Sequence, residues 1–173
     1  MFKIKDRIIH GMITGIIAGT PDTIINALEH RAGLTDLTYS QMGANVFLPK
    51  GKINNKKANY LGLLANYTML GVSGVLFSYL LSATGRDKAL MKGVAYGILS
   101  WLAVYGMGAK VGLMVESKKP LAPLLSFVDH AIFGSLLGLI APKIGDDSLF
   151  PGSNKDGQEQ QPLIATGMSH ERN

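Results

Sequence analysis

The chain has 173 residues, 47% of them hydrophobic, a formal charge of +5 and no cysteine. That length fits one domain, and the missing cysteine excludes disulfide frameworks, thiolate metal sites, iron–sulfur clusters and cysteine nucleophiles. The Lys and Arg residues flank four apolar blocks and form no single face with interleaved aromatics, so they read as anchors of helix ends and not as a nucleic-acid surface.

The four blocks set the expected fold class: all-α, a four-helix transmembrane bundle over residues 1–143, then a flexible polar tail over 144–173. Lys3, Lys5 and Arg7 lead into a first span over about 8–28. Pro21, Asp22 and the lack of a small-residue cleavage site set it apart from a signal peptide. Gly11, Gly15 and Gly19 recur every four residues as a double GxxxG, a strip that lets another helix backbone approach in lipid. Asp22 and Asn26 continue that strip, so they are expected to face a helix and not lipid. Pro21 is expected to kink the helix.

The loop that follows holds Thr38-Tyr-Ser-Gln41, which fits a capping box and predicts a short interfacial helix over Tyr39 to Leu48. Lys50, Lys52, Lys56 and Lys57 then cluster before the second span, over about 60–82. Such a cluster reads as a solvated loop, or as one drawn to anionic headgroups. In the second span Tyr67, Gly71, Gly74 and Ser78 share a face. Gly85-Arg-Asp-Lys88 turns the chain into a third span over about 89–109, where Gly93 and Gly97 lie on the narrow side. Trp101, near its middle, reads as core packing. The fourth span, over 121–141, is Leu121 to Ala141, roughly 30 Å long as a helix and enough to cross a bilayer. Its ionisable groups are Asp129 and His130, and His130, Gly134 and Gly138 share one face.

Antiparallel spans allow depths to be compared at about 1.5 Å per residue. By that count Asp22, Asn66, Tyr67, Tyr105, Asp129 and His130 fall in one half of the bundle, the opposite half being apolar and glycine-rich. An ionised carboxylate there is costly unless protonated, paired or wet. The simplest expectation pairs Asp22 or Asp129 with His130, as a proton relay or as a polar clasp fixing helix register. His10 is expected at the opposite interface. No catalytic signature, cofactor motif or metal-ligand spacing is found. Ser126 and His130 lack a GxSxG turn, and Asp22, Asp129, His130, Glu29 and His30 lack the close spacing of a metal site.

The pattern Lys92-Gly93, Tyr96-Gly97 and Trp101, followed by His130 and Gly134, resembles that of uncharacterised small four-helix integral membrane proteins of Gram-positive, often spore-forming, bacteria. The resemblance covers the four spans. It implies a multi-pass protein of a bacterial cell membrane and brings no activity with it. The reading that follows is a non-enzymatic structural or accessory membrane component. The alternative is a proton- or cation-coupled small-solute transporter, acting as a homodimer through the buried Asp/His cluster. The lipid bilayer is the expected partner, with a second copy or another membrane protein beside it. Lys and Arg are nearly balanced between the two sides. The flanks of the first span, Lys3, Lys5 and Arg7 against Arg31, place the N-terminus in the cytoplasm.

Overall fold

The computed structural model describes residues 3–108, 110, 112, 115 and 117–151. Its α-helices are α1 (Arg7–Arg31), α2 (Tyr39–Asn45), α3 (Lys56–Thr84), α4 (Ala89–Trp101) and α5 (Ala122–Ile144). A π-helical stretch, Leu102–Gly108, continues α4. The fold is all-helical, and α1, α3, α5 and α4 with its continuation are each long and apolar enough to span a membrane. The expected end of the third span at Ala109 and the expected tail over 152–173 lie outside the described residues.

Polar caps decide where three of these helices begin, and α1 and α3 thereby start ahead of their apolar runs. Asp6 accepts from the Ile9 N–H at 2.8 Å to start α1, and Asn55 accepts from the Ala58 N–H at 2.9 Å to start α3. Both halves of the capping box form at Thr38 and Gln41 to start α2. Helix α1 runs unbroken through Pro21. In the turn before it, the Thr20 hydroxyl donates to the Ile16 carbonyl at 2.7 Å.

Short connections imply that consecutive spans pack side by side; the first pair and the last pair do, but the second and third spans do not. Helix α3 packs chiefly on α1, α4 on α5, and α1 on α5, giving the lateral order α3–α1–α5–α4, while α3 and α4 touch only slightly. Backbone proximity at glycine decides the partners. A Cβ at Gly15 would fall 2.0 Å from the Leu70 carbonyl oxygen, and one at Gly74 would fall 2.1 Å from that of Gly11. Across the other seam, Gly93 and Gly134 would place a Cβ 2.1 and 2.2 Å from each other's carbonyl oxygens. Gly97 and Gly138 extend this contact against His130 and Ala89. Gly19 meets the Leu70 side chain, whereas Gly71 has only Met12, at 3.9 Å, and holds no backbone close.

The inside–outside pattern is that of a protein in lipid. Ile9, Leu64 and Met91 point outward at 53–69% exposure, while Arg7, His10, Asp22, Asn26 and Asp129 are all below 9%. The C-terminal boundary also differs from expectation. Gly145 pairs with Ile4 in a parallel bridge, a 3₁₀ turn follows at Asp147–Leu149, and Leu149 and Phe150 are fully buried. An apolar pair thus closes the N-terminal end of the bundle where a polar tail was expected to leave it. Lys92 reaches back to the turn before α4, donating to the carbonyls of Thr84 and Gly85 and to Asp87 and satisfying the end of α3.

Candidate functional site

Asp22 and Asn26 stand one turn apart on the buried face of α1, and Asp129 faces them from α5. The Asp22 and Asp129 carboxyls are close enough to repel each other when both are charged. Glu29, half-buried on the next turn, lies beside the Asn26 amide. The link between the two helices comes from α2. Tyr39 donates its phenol proton to Asp129 Oδ2 at 2.8 Å, and its backbone N–H donates to Asn26 Oδ1 at 2.7 Å. Burial, with both carboxyls nearby, pushes the Tyr39 phenol well above its ordinary value. It therefore remains a proton donor.

Asp22 is 5% exposed, and its Oδ1 has no hydrogen-bond partner among the described residues. The ion pairs found among those residues, Arg86–Asp147 and Lys92–Asp87, lie at the opposite end, so among the described residues no Lys or Arg pairs with the buried carboxyls. Two adjacent acids in a poorly polar setting do not both ionise; such a pair holds a proton or a cation between them.

The expected pairing of an aspartate with His130 is not found. His130 Nδ1 donates instead to the Ser126 carbonyl of its own helix at 2.8 Å, and its ring meets Tyr39 edge-on with centroids 6.2 Å apart. A phenol arriving from α2 occupies the position the imidazole was expected to fill. Asn66 and Tyr67 do lie at the level of Asp22, but on the side of α1 facing α3. Asn66 donates to Thr23 at 2.9 Å, and Tyr67 makes a long 3.5 Å contact with Thr20. Tyr105, in the π-helical stretch, stacks on Trp101, which in turn meets Phe127 edge-on. Both rings are half-buried; Tyr105 packs against the small core beneath α2, as Tyr39 does, and Trp101, expected in the core, is not among the fully buried core residues.

Comparison with family models, curated proteins and solved structures finds no match to this chain.

Sequence reasoning missed two features. One is Tyr39 with the glycines that seat it: a Cβ on Gly62 would lie 1.7 Å from the Ser40 carbonyl oxygen, and one on Gly43 would lie 2.7 Å from that of Gly62. The available signal was Gly62 near the start of an otherwise apolar span, opposite Gly43. The other is His10, expected at an interface but fully buried. Its Nε2 donates to the Ala141 carbonyl at 2.9 Å, which leaves Nδ1 of the neutral ring to accept from Ser78 at 2.8 Å. One imidazole thereby joins α1, α3 and α5, with Phe150 edge-on at 5.9 Å and Arg7 donating to Ser82 one turn away at 3.0 Å.

Proposed function

We propose that the protein is a non-enzymatic structural or accessory component of a bacterial cell membrane, its N-terminus cytoplasmic, beside a second copy or another membrane protein. The observation that carries this reading is that the buried polar side chains tie one element to another. Tyr39 joins Asp129 and Asn26, Asn66 joins Thr23, and His10 joins Ser78 to the Ala141 carbonyl. Bonds of this kind fix register and depth in a bundle that lipid cannot drive together. The basic flank of α1 supports the orientation, and the likeness at Lys92 to Trp101 supports the bacterial setting. Helix α4, the least covered of the four spans, leaves Met91, Leu99 and Met107 for lipid or a partner.

A second reading, a proton- or cation-coupled transporter working as a homodimer, is favoured by one observation: the unpartnered, buried Asp22 oxygen beside Asp129. One experiment separates the two. Purified protein is reconstituted in liposomes with a pH-sensitive dye inside, and a potassium diffusion potential is imposed. The structural reading expects parent and Asp22→Asn liposomes to match empty ones. Proton entry in the parent that disappears in Asp22→Asn would overturn it in favour of the second.

A further inference from the structure

At the mouth of the bundle opposite the Ile4–Gly145 bridge, a cavity of about 290 Å³ opens between the end of α1, the start of α2, the 53–55 turn and the start of α3. It is lined by His30, Thr38, Gln41, Asn54, Lys56 and Asn59, together with Ile53 and Asn55, and no carboxylate is among these lining residues. Several polar atoms of the lining are already engaged within the protein. Gln41 Nε2 donates to Asn54 Oδ1 at 2.9 Å, Asn55 Oδ1 caps Ala58, and His30 Nδ1 donates to the Thr35 carbonyl at 3.2 Å. Asn54 is exposed, and with its oxygen accepting from Gln41 its amide N–H₂ is left as the donor. Lys56 and Asn59 are exposed and add an ammonium and a second amide. The cavity therefore offers donors and one fixed positive charge, and it lies where a 29-residue helix begins with its positive end.

Location narrows the ligand. Helix α3 becomes apolar from Tyr60 onward, so Lys56 and Asn59 stand at the level where a bilayer presents its phosphates. We propose that this cavity binds a phosphate group, borne by a lipid headgroup or free in solution, with Lys56 as its counter-charge and the Asn54 and Asn59 amides as its hydrogen-bond donors. The site is independent of the role assigned to the buried carboxyls.

The test uses the full chain in maltoside micelles and follows thermal unfolding during titration. The probes are phosphatidylglycerol, a phosphate-free glucosyl diacylglycerol, and inorganic phosphate. Protection by phosphatidylglycerol alone identifies a lipid-borne phosphate; protection by inorganic phosphate, with or without the lipid, shows that the phosphate group suffices. In either case Lys56→Gln and Asn59→Ala should each weaken half-saturation about tenfold, as expected for one lost charge-assisted bond. Lys57→Gln, an exposed lysine outside the cavity, should leave half-saturation unchanged. Equal protection by the glucosyl lipid, no protection by either phosphate probe, or an equal loss in Lys57→Gln would overturn the proposal.

Discussion

Gly62→Ala is the sharpest single test of how α2 reaches the carboxyl layer. In the interior of a helix, Ala is favoured over Gly by about 1 kcal/mol, so on local grounds the change should stabilise α3. At this position the added carbon would sit 1.7 Å from the Ser40 carbonyl oxygen and 2.9 Å from the Ala44 nitrogen, both backbone atoms. No rotamer can relieve such a contact; α2 must retreat by more than about 1 Å, an overpacking that typically costs about 1–3 kcal/mol. Tyr39 is the first residue of α2, so the retreat breaks its 2.8 Å bond to Asp129 and leaves a buried acid without its donor. A hydrogen bond to such a group contributes about 1.5–3 kcal/mol. The net expectation is a loss of about 3 kcal/mol despite the better helix former. Denaturant unfolding in mixed micelles measures it, with Tyr39→Phe reproducing the hydrogen-bond part alone. If Gly62→Ala is as stable as the parent, the docking of α2 described here is wrong.

The glycine seam between α4 and α5 gives a paired prediction. Gly134→Ala, whose Cβ would lie 2.2 Å from the Gly93 oxygen, should destabilise by about 2 kcal/mol, while Gly71→Ala, with its nearest atom at 3.9 Å, should be neutral or slightly stabilising in the same unfolding assay. Phe150→Ala should cost about 3–5 kcal/mol, as for a buried core ring, and should sharply raise hydrogen exchange at Ile4 and Asp146, whose amides bond across the closure. The Ser117 hydroxyl and the Lys118 N–H hold the Asp36 carboxyl below its ordinary 3.8. Because the folded value is the lower one, this tie is complete above pH 3.8 and is lost as the pH falls through the folded value. The Lys118 amide resonance should therefore stay fixed from neutral pH to about 4, shift below it, and lose that shift in Asp36→Asn.

The spans could be read directly, because length and apolar character alone decide whether a helix can cross a bilayer. The capping box at Thr38 is equally local and was legible; the caps at Asp6 and Asn55 went unread, so α1 and α3 begin earlier than expected. Lateral order was not legible, since every span carries small residues and only the three-dimensional fit decides which strips meet. Gly71 and Gly74 look equivalent in sequence, yet only at Gly74 would a Cβ collide with another backbone, 2.1 Å from the Gly11 oxygen, against 4.0 Å from Met12 Cα at Gly71. Counting depths brought Asp22 and Asp129 to one level. It could not find Tyr39, which sits on a seven-residue helix in a polar loop and has no depth to count. His10 was misplaced for a related reason. Its distance from the chain end suggested an interface, and burial came from Leu149 and Phe150, two apolar residues in a stretch whose average is polar.

The lateral order α3–α1–α5–α4 makes the molecule two halves, each riveted along glycine where main chains meet. Neither half can open without parting backbones. The boundary between them, α1 against α5, is built differently: His10 reaches Ala141 at one end, and Tyr39 bridges Asn26 and Asp129 at the other. Those bonds can break and re-form one at a time. A slide or tilt along that boundary, once the main-chain bonds of Ile4 to Ile144 and Asp146 had parted, would carry Asp22 past Asp129 while both seams stayed shut.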